Sequence, residues 1–469
     1  MKTPYYSTRI TSVKKEIILI DVWDFIVYIK PMAGLLVRKL DKIIPGKERK
    51  IVWENFLSLS TLQAINYLLP LIFLPYVIRI IGPEKFGLIA FAQACMQYFI
   101  ILTDYGFSLS ATREIALAKE QPDRIKEIFS AVLATKIVLA AFSFLILLAV
   151  IHFVPRFKSD HMVYIYSFGA VIGSTLFPLW YFQGMERMKY IAKLNIIGGI
   201  IFAAGIFLFV DGPSNYLLIP LFYSIVSIAT GIAGLYIAFR KFSVTFSFQR
   251  YADIKQQLKA GWNIFSSSVA INAYTSTRIF AVGLLTTNTV TGYYSIAERI
   301  AAIIQTFPLA SFSQALFPRL TKIYLHNRKK AFRMMKKIQA FTTTCFLVSL
   351  PVAYLSAPWV IMAVAGKPYA EAIITLRLLI LSILFIGANA FKIQFLMVCG
   401  RTASYALIHV IMAAVGMPLI FVMIRYFSYV GAAAATILIE GGIFLLTAKR
   451  IHDITGHPRR PSQWRLLKE

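Results

Sequence analysis

The feature that most constrains this chain is a pair of long apolar segments between Asn55 and Ala116. The first segment ends at Ile81, the turn Gly82-Pro-Glu-Lys85 follows, and the second begins at Phe86. Each segment is long enough to cross a bilayer, which takes ~20 apolar residues. Because the turn is so short, the unit is predicted to be a helical hairpin with both ends on the same side of a membrane.

Three landmarks of this hairpin recur later in the chain, in the same order and at nearly the same spacing. The pairs are Ala64-Ile-Asn66 with Ala270-Ile-Asn272, Gly87 with Gly292, and Arg113 with Arg319. Matching order and spacing indicate an internal repeat, so the chain is predicted to consist of two similar halves.

Composition excludes a soluble protein, because 58% of the residues are hydrophobic and 15% are charged, against about 25% charged in a globular domain. The predicted fold is an all-α integral membrane protein with about twelve spans. Their expected bounds are 55–81, 86–108, 127–154, 163–182, 194–210, 216–239, 262–285, 292–317, 338–357, 371–399, 404–427 and 430–448. The aromatic residues that close the fourth span, Phe177 and Trp180 to Phe182, are interpreted as an interfacial belt in preference to a sugar platform.

The predicted organisation has five parts. They are an extension (1–50), a first six-helix bundle (51–239), a linker (240–261), a second six-helix bundle (262–448) and a basic tail (449–469). The extension fits either a helix lying in the membrane interface or a disordered segment.

The distribution of basic residues explains the net charge of +28. One set of connections, together with both termini, holds 38 of the 49 lysines and arginines, and the opposite set holds Lys85, Arg156, Lys158 and Lys367. By the positive-inside rule both termini are cytoplasmic, and the charge reflects membrane topology and not a nucleic-acid surface. The three cysteines show no disulfide framework or metal-ligand spacing, so neither a metal nor a cofactor is predicted.

Seven basic residues remain inside predicted spans, where a charge costs at least ~2.5–3.5 kcal/mol. Arg79 and Arg425 lie near span ends and are expected to snorkel. The other five are candidates for a cationic cavity that binds substrate, with pairing to a neighbouring helix as the alternative: Lys136, Arg278, Arg299, Arg377 and Lys392. The intramembrane acids Asp104, Glu298 and Glu440 are candidates for charge pairing or for coupling to a cation, H⁺ or Na⁺.

Several stretches resemble the bacterial O-antigen and polysaccharide flippases of the multidrug/oligosaccharidyl-lipid/polysaccharide exporter superfamily. The similarity is carried by Leu69-Pro-Leu-Ile-Phe-Leu-Pro-Tyr-Val-Ile-Arg-Ile-Ile-Gly-Pro-Glu-Lys-Phe-Gly-Leu88, Asp104-Tyr-Gly-Phe-Ser-Leu-Ser-Ala-Thr-Arg113 and Gly292-Tyr-Tyr-Ser-Ile-Ala-Glu-Arg299. It covers roughly residues 51–450, and only Asp104 and Arg113 carry over as family-motif residues.

The resemblance implies two six-helix bundles around a central cavity in the bacterial inner membrane. It implies transfer of an undecaprenyl-diphosphate-linked glycan to the periplasmic leaflet by alternating access, coupled to a cation gradient. Membrane lipids, a polysaccharide polymerase and a chain-length regulator are the partners to expect. Two rival functions are a multidrug exporter of the same superfamily, which should have an acidic cavity, and a membrane polymerase or ligase, which should carry catalytic residues in large loops.

Overall fold

The computed structural model describes the backbone of residues 46–456, apart from residue 243, residues 248–253 and parts of 260–275. Side chains are described from residue 72 onward, with the same gaps and without residues 306–319, 322, 402 and 455–456. Most of the predicted extension, part of the linker and most of the basic tail therefore lie outside the described residues.

The described chain is almost entirely helical, and its helices alternate with short connections. They are α1 (Gly46–Asp104), α2 (Phe107–Leu117), α3 (Pro122–Phe153), α4 (Pro155–Lys158), α5 (His161–Leu176), α6 (Leu179–Gly184), α7 (Met188–Phe209), α8 (Leu218–Lys241), α9 (Thr277–Leu285), α10 (Asn288–His326), α11 (Arg328–Ala365), α12 (Ala370–Val398) and α13 (Thr402–Gly456). Eight segments of the described residues are long and apolar enough to cross a membrane. The prediction of an all-α, multi-pass membrane protein is therefore confirmed.

Two of the longest helices are interrupted at positions where the sequence predicts turns between spans. Gly82 interrupts α1 with φ 75° and ψ 167°, and Ser428 interrupts α13 with φ 51° and ψ −135°. A positive φ carries little penalty for glycine, which lacks a Cβ atom. Each interruption divides its helix into two lengths, as expected for a pair of neighbouring spans.

One hydrophobic cluster joins the two halves of the chain. Tyr76, Phe91 and Phe168 of the first half belong to the same buried cluster as Ile296 and Leu379 of the second half. Burial of apolar surface is the main favourable term in association, so this shared cluster is expected to hold the halves together.

The other two clusters each belong to one half. Phe107, Phe129 and Trp180 lie in a cluster confined to the first half, whereas Phe391 and Ile420 lie in one confined to the second. The halves thus share a hydrophobic core in one region and have separate cores elsewhere.

Contacts between connections distinguish the two ends of the molecule. At one end, which we call the Gly82 end, Arg156 contacts the end of α9 and the start of α10. At the same end, Arg79 donates to the Ala363 carbonyl near the end of α11. At the other, the Arg113 end, Gly184 packs against Ile115 in α2. The shared cluster includes residues next to Gly82, and the cluster of the first half includes residues of α2.

The prediction of an aromatic interfacial belt after the fourth span is wrong. Trp180, Tyr181 and Phe182 are at most 2% exposed. Their rings pack against one another and against Phe129 of α3. The chain breaks at Phe177, where ψ is 113°, and the short helix α6 then turns these rings into the core of the first half.

Candidate functional site

The two halves approach closely where Gly87 of α1 meets Gly292 of α10. A Cβ atom on Gly87 would overlap the Asn288 carbonyl oxygen and the Gly292 backbone nitrogen. A Cβ atom on Gly292 would overlap the Pro83 carbonyl oxygen. Small residues allow helix backbones to approach closely in membranes, so these two glycines allow the halves to close at the Gly82 end.

A second contact at the same end comes from Arg156, in the short helix α4. Its Nη2 atom donates to the Gly283 carbonyl at 3.0 Å, to the Thr286 carbonyl at 3.3 Å and to Oδ1 of Asn288 at 2.7 Å. These acceptors include carbonyl oxygens at the end of α9, which lack helical donors. A single side chain of the first half therefore satisfies the end of a helix in the second half.

Replacing Arg156 by glutamine should weaken closure of the Gly82 end. Hydrogen bonds that involve a charged group contribute about 1.5–3 kcal/mol each, so Arg156→Gln is expected to lower the melting temperature of the purified protein. Lys158→Gln, an exposed residue of the same helix, serves as the control. Equal melting temperatures for the two variants would contradict the inferred role of Arg156.

The family-motif residues Asp104 and Arg113 lie on either side of a break between α1 and α2. Tyr105 and Gly106 have positive φ values of 46° and 79°, and Oδ2 of Asp104 accepts a hydrogen bond from the Ser108 hydroxyl at 2.9 Å. Arg113 is exposed on α2. Asp104 therefore stabilises the start of α2, whereas Arg113 remains accessible at the surface of that helix.

Lys136 is buried in α3 and points toward α5. Its Nζ atom donates to the Ser174 carbonyl at 3.0 Å. Pro178 lies four residues beyond Ser174 and has no N–H group, so it cannot supply the usual helical hydrogen bond to that carbonyl. The carboxylate of Asp104 is close enough to interact electrostatically with Lys136.

Removing the Lys136 ammonium should leave the Ser174 carbonyl without a donor. An unsatisfied buried polar group costs about 1–3 kcal/mol, so Lys136→Met is expected to destabilise the protein by that amount in thermal unfolding. Lys193→Met, at an exposed position of α7, is the matched control. If both variants unfold like the wild type, Lys136 does not support the break before Pro178.

The two cations of α12 also have partners in the protein. Nε of Arg377 donates to the Tyr354 carbonyl at 3.4 Å, and Pro358 lies four residues beyond Tyr354. The Nζ atom of Lys392 lies 3.6 Å from the centre of the Phe444 ring, well within cation–π distance. These contacts favour the pairing alternative for both residues, and their role in substrate binding remains a prediction.

A cluster of charges, which we call the Arg278 cluster, lies inside the second half. Nη2 of Arg278 is 3.4 Å from Oε1 of Glu298, and Nη1 donates to the Thr436 hydroxyl at 3.3 Å. Glu440, one turn further along α13, interacts electrostatically with the same guanidinium. Oε2 of Glu298 is buried without a hydrogen-bond partner among the described residues. One cation thus interacts with two carboxylates.

Arg299 follows Glu298 in the chain but extends in a different direction, into the first half. Its Nη2 atom donates to Oε1 of Gln93 at 2.7 Å, and its guanidinium lies 5.4 Å from the centre of the Phe86 ring. The side chain lines a cavity of about 290 Å³, which we call the Arg299 pocket. The other walls of this pocket belong to the first half of the chain.

The structure distributes the five predicted substrate-binding cations between different environments. Arg299 lines a cavity, whereas Lys136, Arg278, Arg377 and Lys392 contact carbonyl, carboxylate or aromatic groups. Sequence reasoning did not assign Arg156 or Gln93 a role. The sequence feature that could have identified Arg156 is that it is one of only four basic residues in the connections on the side predicted to be periplasmic. An isolated glutamine such as Gln93 has no comparable feature in the sequence.

Comparison with known proteins identifies the family. Residues 52–324 match the family described as polysaccharide biosynthesis protein. A candidate O-antigen transporter from Escherichia coli is 30% identical over 397 residues, which cover 82% of this chain and 93% of that protein. The chain therefore belongs to the polysaccharide biosynthesis protein family, and the resemblance inferred from the sequence is confirmed. It is a transporter and not an enzyme.

Solved structures with the same fold belong to transporters. An inward-facing multidrug resistance MATE family transporter of the MOP superfamily has a TM-score of 0.64 at 15% identity, covering 86% of this chain and all of the other. The lipid II flippase MurJ in an inward closed conformation also has a TM-score of 0.64 at 15% identity, covering 86% of this chain and 87% of the other. At this level of identity the likeness establishes the fold.

Proposed function

We propose that this protein flips undecaprenyl-diphosphate-linked oligosaccharide repeat units of O-antigen, capsule or exopolysaccharide from the cytoplasmic to the periplasmic leaflet. Membership of the polysaccharide biosynthesis family carries the proposal, together with the similarity to a candidate O-antigen transporter over most of its length. Arg299 supports it, because this side chain lines a cavity and a diphosphate requires cationic partners when it leaves water. Membrane lipids surround the protein, and a polysaccharide polymerase and a chain-length regulator are its proposed partners.

The proposed architecture has twelve spans in two pseudo-symmetric six-helix bundles around a central cationic cavity. The interruptions at Gly82 and Ser428 support this count, because each divides a helix where two spans are expected. The protein is proposed to lie in the inner membrane with both termini in the cytoplasm. This orientation rests on the basic connections at the Arg113 end and makes the Gly82 end periplasmic.

Alternating access is the proposed mechanism of transfer. The halves share a hydrophobic cluster that includes residues next to Gly82, whereas each has a separate cluster elsewhere. For a substrate to leave on the periplasmic side, the contacts of Gly87, Gly292 and Arg156 must separate. The energy for each cycle is proposed to come from an ion gradient.

The Arg278 cluster is the proposed coupling site. Two carboxylates share one guanidinium, and Oε2 of Glu298 has no hydrogen-bond partner among the described residues. A second positive charge, either H⁺ or Na⁺, would neutralise the remaining acid.

A change at Glu440 tests this coupling. Glu440→Gln removes one negative charge. Transfer in proteoliposomes should then no longer respond to an imposed pH or sodium gradient, while some gradient-independent transfer remains. Glu84→Gln, an exposed acid at the Gly82 end, is the control and should respond like the wild type. An unchanged gradient response in Glu440→Gln would remove Glu440 from the coupling site.

The function itself is tested by a lipid-linked oligosaccharide transfer assay. Purified protein is reconstituted into liposomes that contain a fluorescent undecaprenyl-diphosphate oligosaccharide, and its accessibility in each leaflet is measured with and without gradients. Protein-dependent transfer is the expected result. Absence of transfer under every gradient, combined with efflux of organic cations, would favour the multidrug exporter instead.

A further inference from the structure

A group of basic and aromatic side chains, which we call the Tyr190 cluster, lies where α7 begins and α8 ends. The Nζ atoms of Lys189 in α7 and Lys241 in α8 lie 5.9 Å and 5.3 Å from the centre of the Tyr190 ring. The guanidinium of Arg187 lies 6.0 Å from the centre of the Phe242 ring, which meets the Tyr190 ring at 5.6 Å. The ends of two helices thus bring three cations to one pair of rings.

The Tyr190 ring is anchored in the hydrophobic core of the first half. It stacks on Phe182 at 5.7 Å, and Phe182 is fully buried. Phe242 meets the same ring of Phe182 at 6.4 Å. The three cations themselves are exposed, and contact with an aromatic face leaves N–H donors of an ammonium or guanidinium available for another partner. The cluster is therefore a supported cationic surface.

Basic residues predominate around the cluster in the part of the chain that the structure describes. Lys193 of α7 and Arg240 of α8 are two more exposed cations. Glu186, which precedes Arg187 in the chain, forms an ion pair with Lys119 at 2.9 Å. Since Lys119 follows α2, this pair also places the cluster at the Arg113 end. Like charges gathered on one face repel each other, and an anion bound among them removes that repulsion.

The positive-inside rule does not explain this arrangement. It accounts for the side of the membrane on which basic residues lie, but not for the convergence of Lys189 and Lys241, more than fifty positions apart in the sequence, on one aromatic ring. The convergence is a property of the fold, and it calls for a ligand of opposite charge.

Exposed apolar residues continue the charged face of α7 toward the middle of the helix. Lys193, Ile197 and Ile200 are separated by four and three residues, so they lie on one face. Ile197 and Ile200 are 43% and 55% exposed. The face of α7 therefore changes from charged to apolar with distance from the Arg113 end, as the headgroup and chain of a lipid do.

The face of α8 changes in the same way. Arg240, Tyr236 and Ile232 follow one another at intervals of four residues, and Tyr236 and Ile232 are 63% and 55% exposed. The two helices run in opposite directions and touch where Gly198 of α7 lies against Thr230 of α8. A rotation of about 100° per residue then places both exposed faces on the same side of the helix pair. Together they form two adjoining apolar strips below the cations.

We propose that the Tyr190 cluster binds the phosphate headgroup of an anionic diacyl glycerophospholipid, whose two acyl chains lie along the exposed faces of α7 and α8. Basic sites between membrane helices on the cytoplasmic side bind anionic lipid headgroups, and two adjoining apolar strips suit a lipid with two chains. The site belongs to the first half alone, at the opposite end from the contact between Gly87 and Gly292. It goes beyond the proposed function and does not depend on what the protein transports.

Titration of the delipidated full-length protein with dioleoylphosphatidylglycerol, followed by native mass spectrometry in detergent, tests the proposal. The wild type should bind this lipid about tenfold or more tightly than dioleoylphosphatidylcholine, whose headgroup has no net charge. Each basic residue beside an anionic headgroup changes affinity about fivefold. Lys189→Gln combined with Lys241→Gln should therefore weaken phosphatidylglycerol binding about twentyfold. Lys189→Arg combined with Lys241→Arg keeps both charges and should retain the preference for phosphatidylglycerol.

A second pair of lysines provides the matched control. Lys329→Gln combined with Lys330→Gln removes two exposed charges at the start of α11, in the second half, and this variant should bind phosphatidylglycerol like the wild type. Equal weakening in the two glutamine variants would overturn the proposal, because the attraction would then come from net charge and not from a site. Equal binding of phosphatidylglycerol and phosphatidylcholine to the wild type would also overturn it.

The number of chains is tested with single-chain lipids. Lysophosphatidylglycerol has the same headgroup but covers one apolar strip, so it should bind more weakly than dioleoylphosphatidylglycerol. Binding of lysophosphatidylglycerol or farnesyl phosphate that is as tight as that of the diacyl lipid, and equally sensitive to Lys189 and Lys241, would overturn the assignment of a diacyl occupant.

Discussion

Replacing Gly87 by alanine is expected to reduce the rate of lipid-linked oligosaccharide transfer by about tenfold or more. The new methyl group would overlap the Asn288 carbonyl and the Gly292 backbone, so the halves could not close at the Gly82 end as they do here. Overpacking typically costs about 1–3 kcal/mol, and each 1.4 kcal/mol changes a population ratio about tenfold. The rate is measured in proteoliposomes at equal protein density.

Gly441→Ala is the matched control for this prediction. Gly441 also lies in a membrane helix, but the nearest atoms to its added Cβ would be those of Phe385 at 3.9 Å and 4.0 Å, an ordinary van der Waals distance. This variant should transfer substrate at close to the wild-type rate. Gly292→Ala tests the same contact from the other half and should behave like Gly87→Ala. Wild-type rates in both Gly87→Ala and Gly292→Ala would mean that closure at this crossing is not needed for transfer.

The contact between Gly87 and Gly292 was predictable from the sequence only in part. Gly87 and Gly292 were identified as corresponding landmarks of the internal repeat, from their order and spacing alone. That the two residues contact each other could not be predicted, because a repeat specifies equivalent positions within two units and not how the units pack. Where the structure describes them, the predicted helix positions agree with it, apart from the break at Phe177 within the predicted span 163–182. Part of the predicted span 262–285 lies outside the described residues. The agreement arises because apolar length and glycine turns are local features of the chain.

The partners of the intramembrane charges could not be predicted from the sequence. The positions of Lys136 and Arg377 deep within predicted spans indicated that each cation requires a partner or a cavity. Those positions did not indicate that each would donate to a carbonyl four residues before a proline. The prolines are visible in the sequence, whereas the pairing depends on how the helices are rotated about their axes. Adjacent residues Glu298 and Arg299 were expected to point in different directions. The structure places them in the Arg278 cluster and the Arg299 pocket.

The Arg278 cluster leads to the second prediction of large effect. Arg278→Met is expected to destabilise the protein by about 3 kcal/mol, because removal of one partner of a buried ion pair leaves the other charge uncompensated. The side chains of Arg278 and Glu298 are 20% and 16% exposed, so the cost should fall at the lower end of the range for buried pairs. Thermal unfolding in detergent at one fixed protein concentration measures the effect.

A double-mutant cycle separates the ion pair from other contacts of Arg278. If the lost stability comes from an unpaired Glu298 carboxylate, then adding Glu298→Gln to Arg278→Met should recover more than half of it, because the buried charge is removed with its partner. Arg425→Met, at an exposed position of the same half, should unfold like the wild type. Additive losses in the double variant would contradict the pairing.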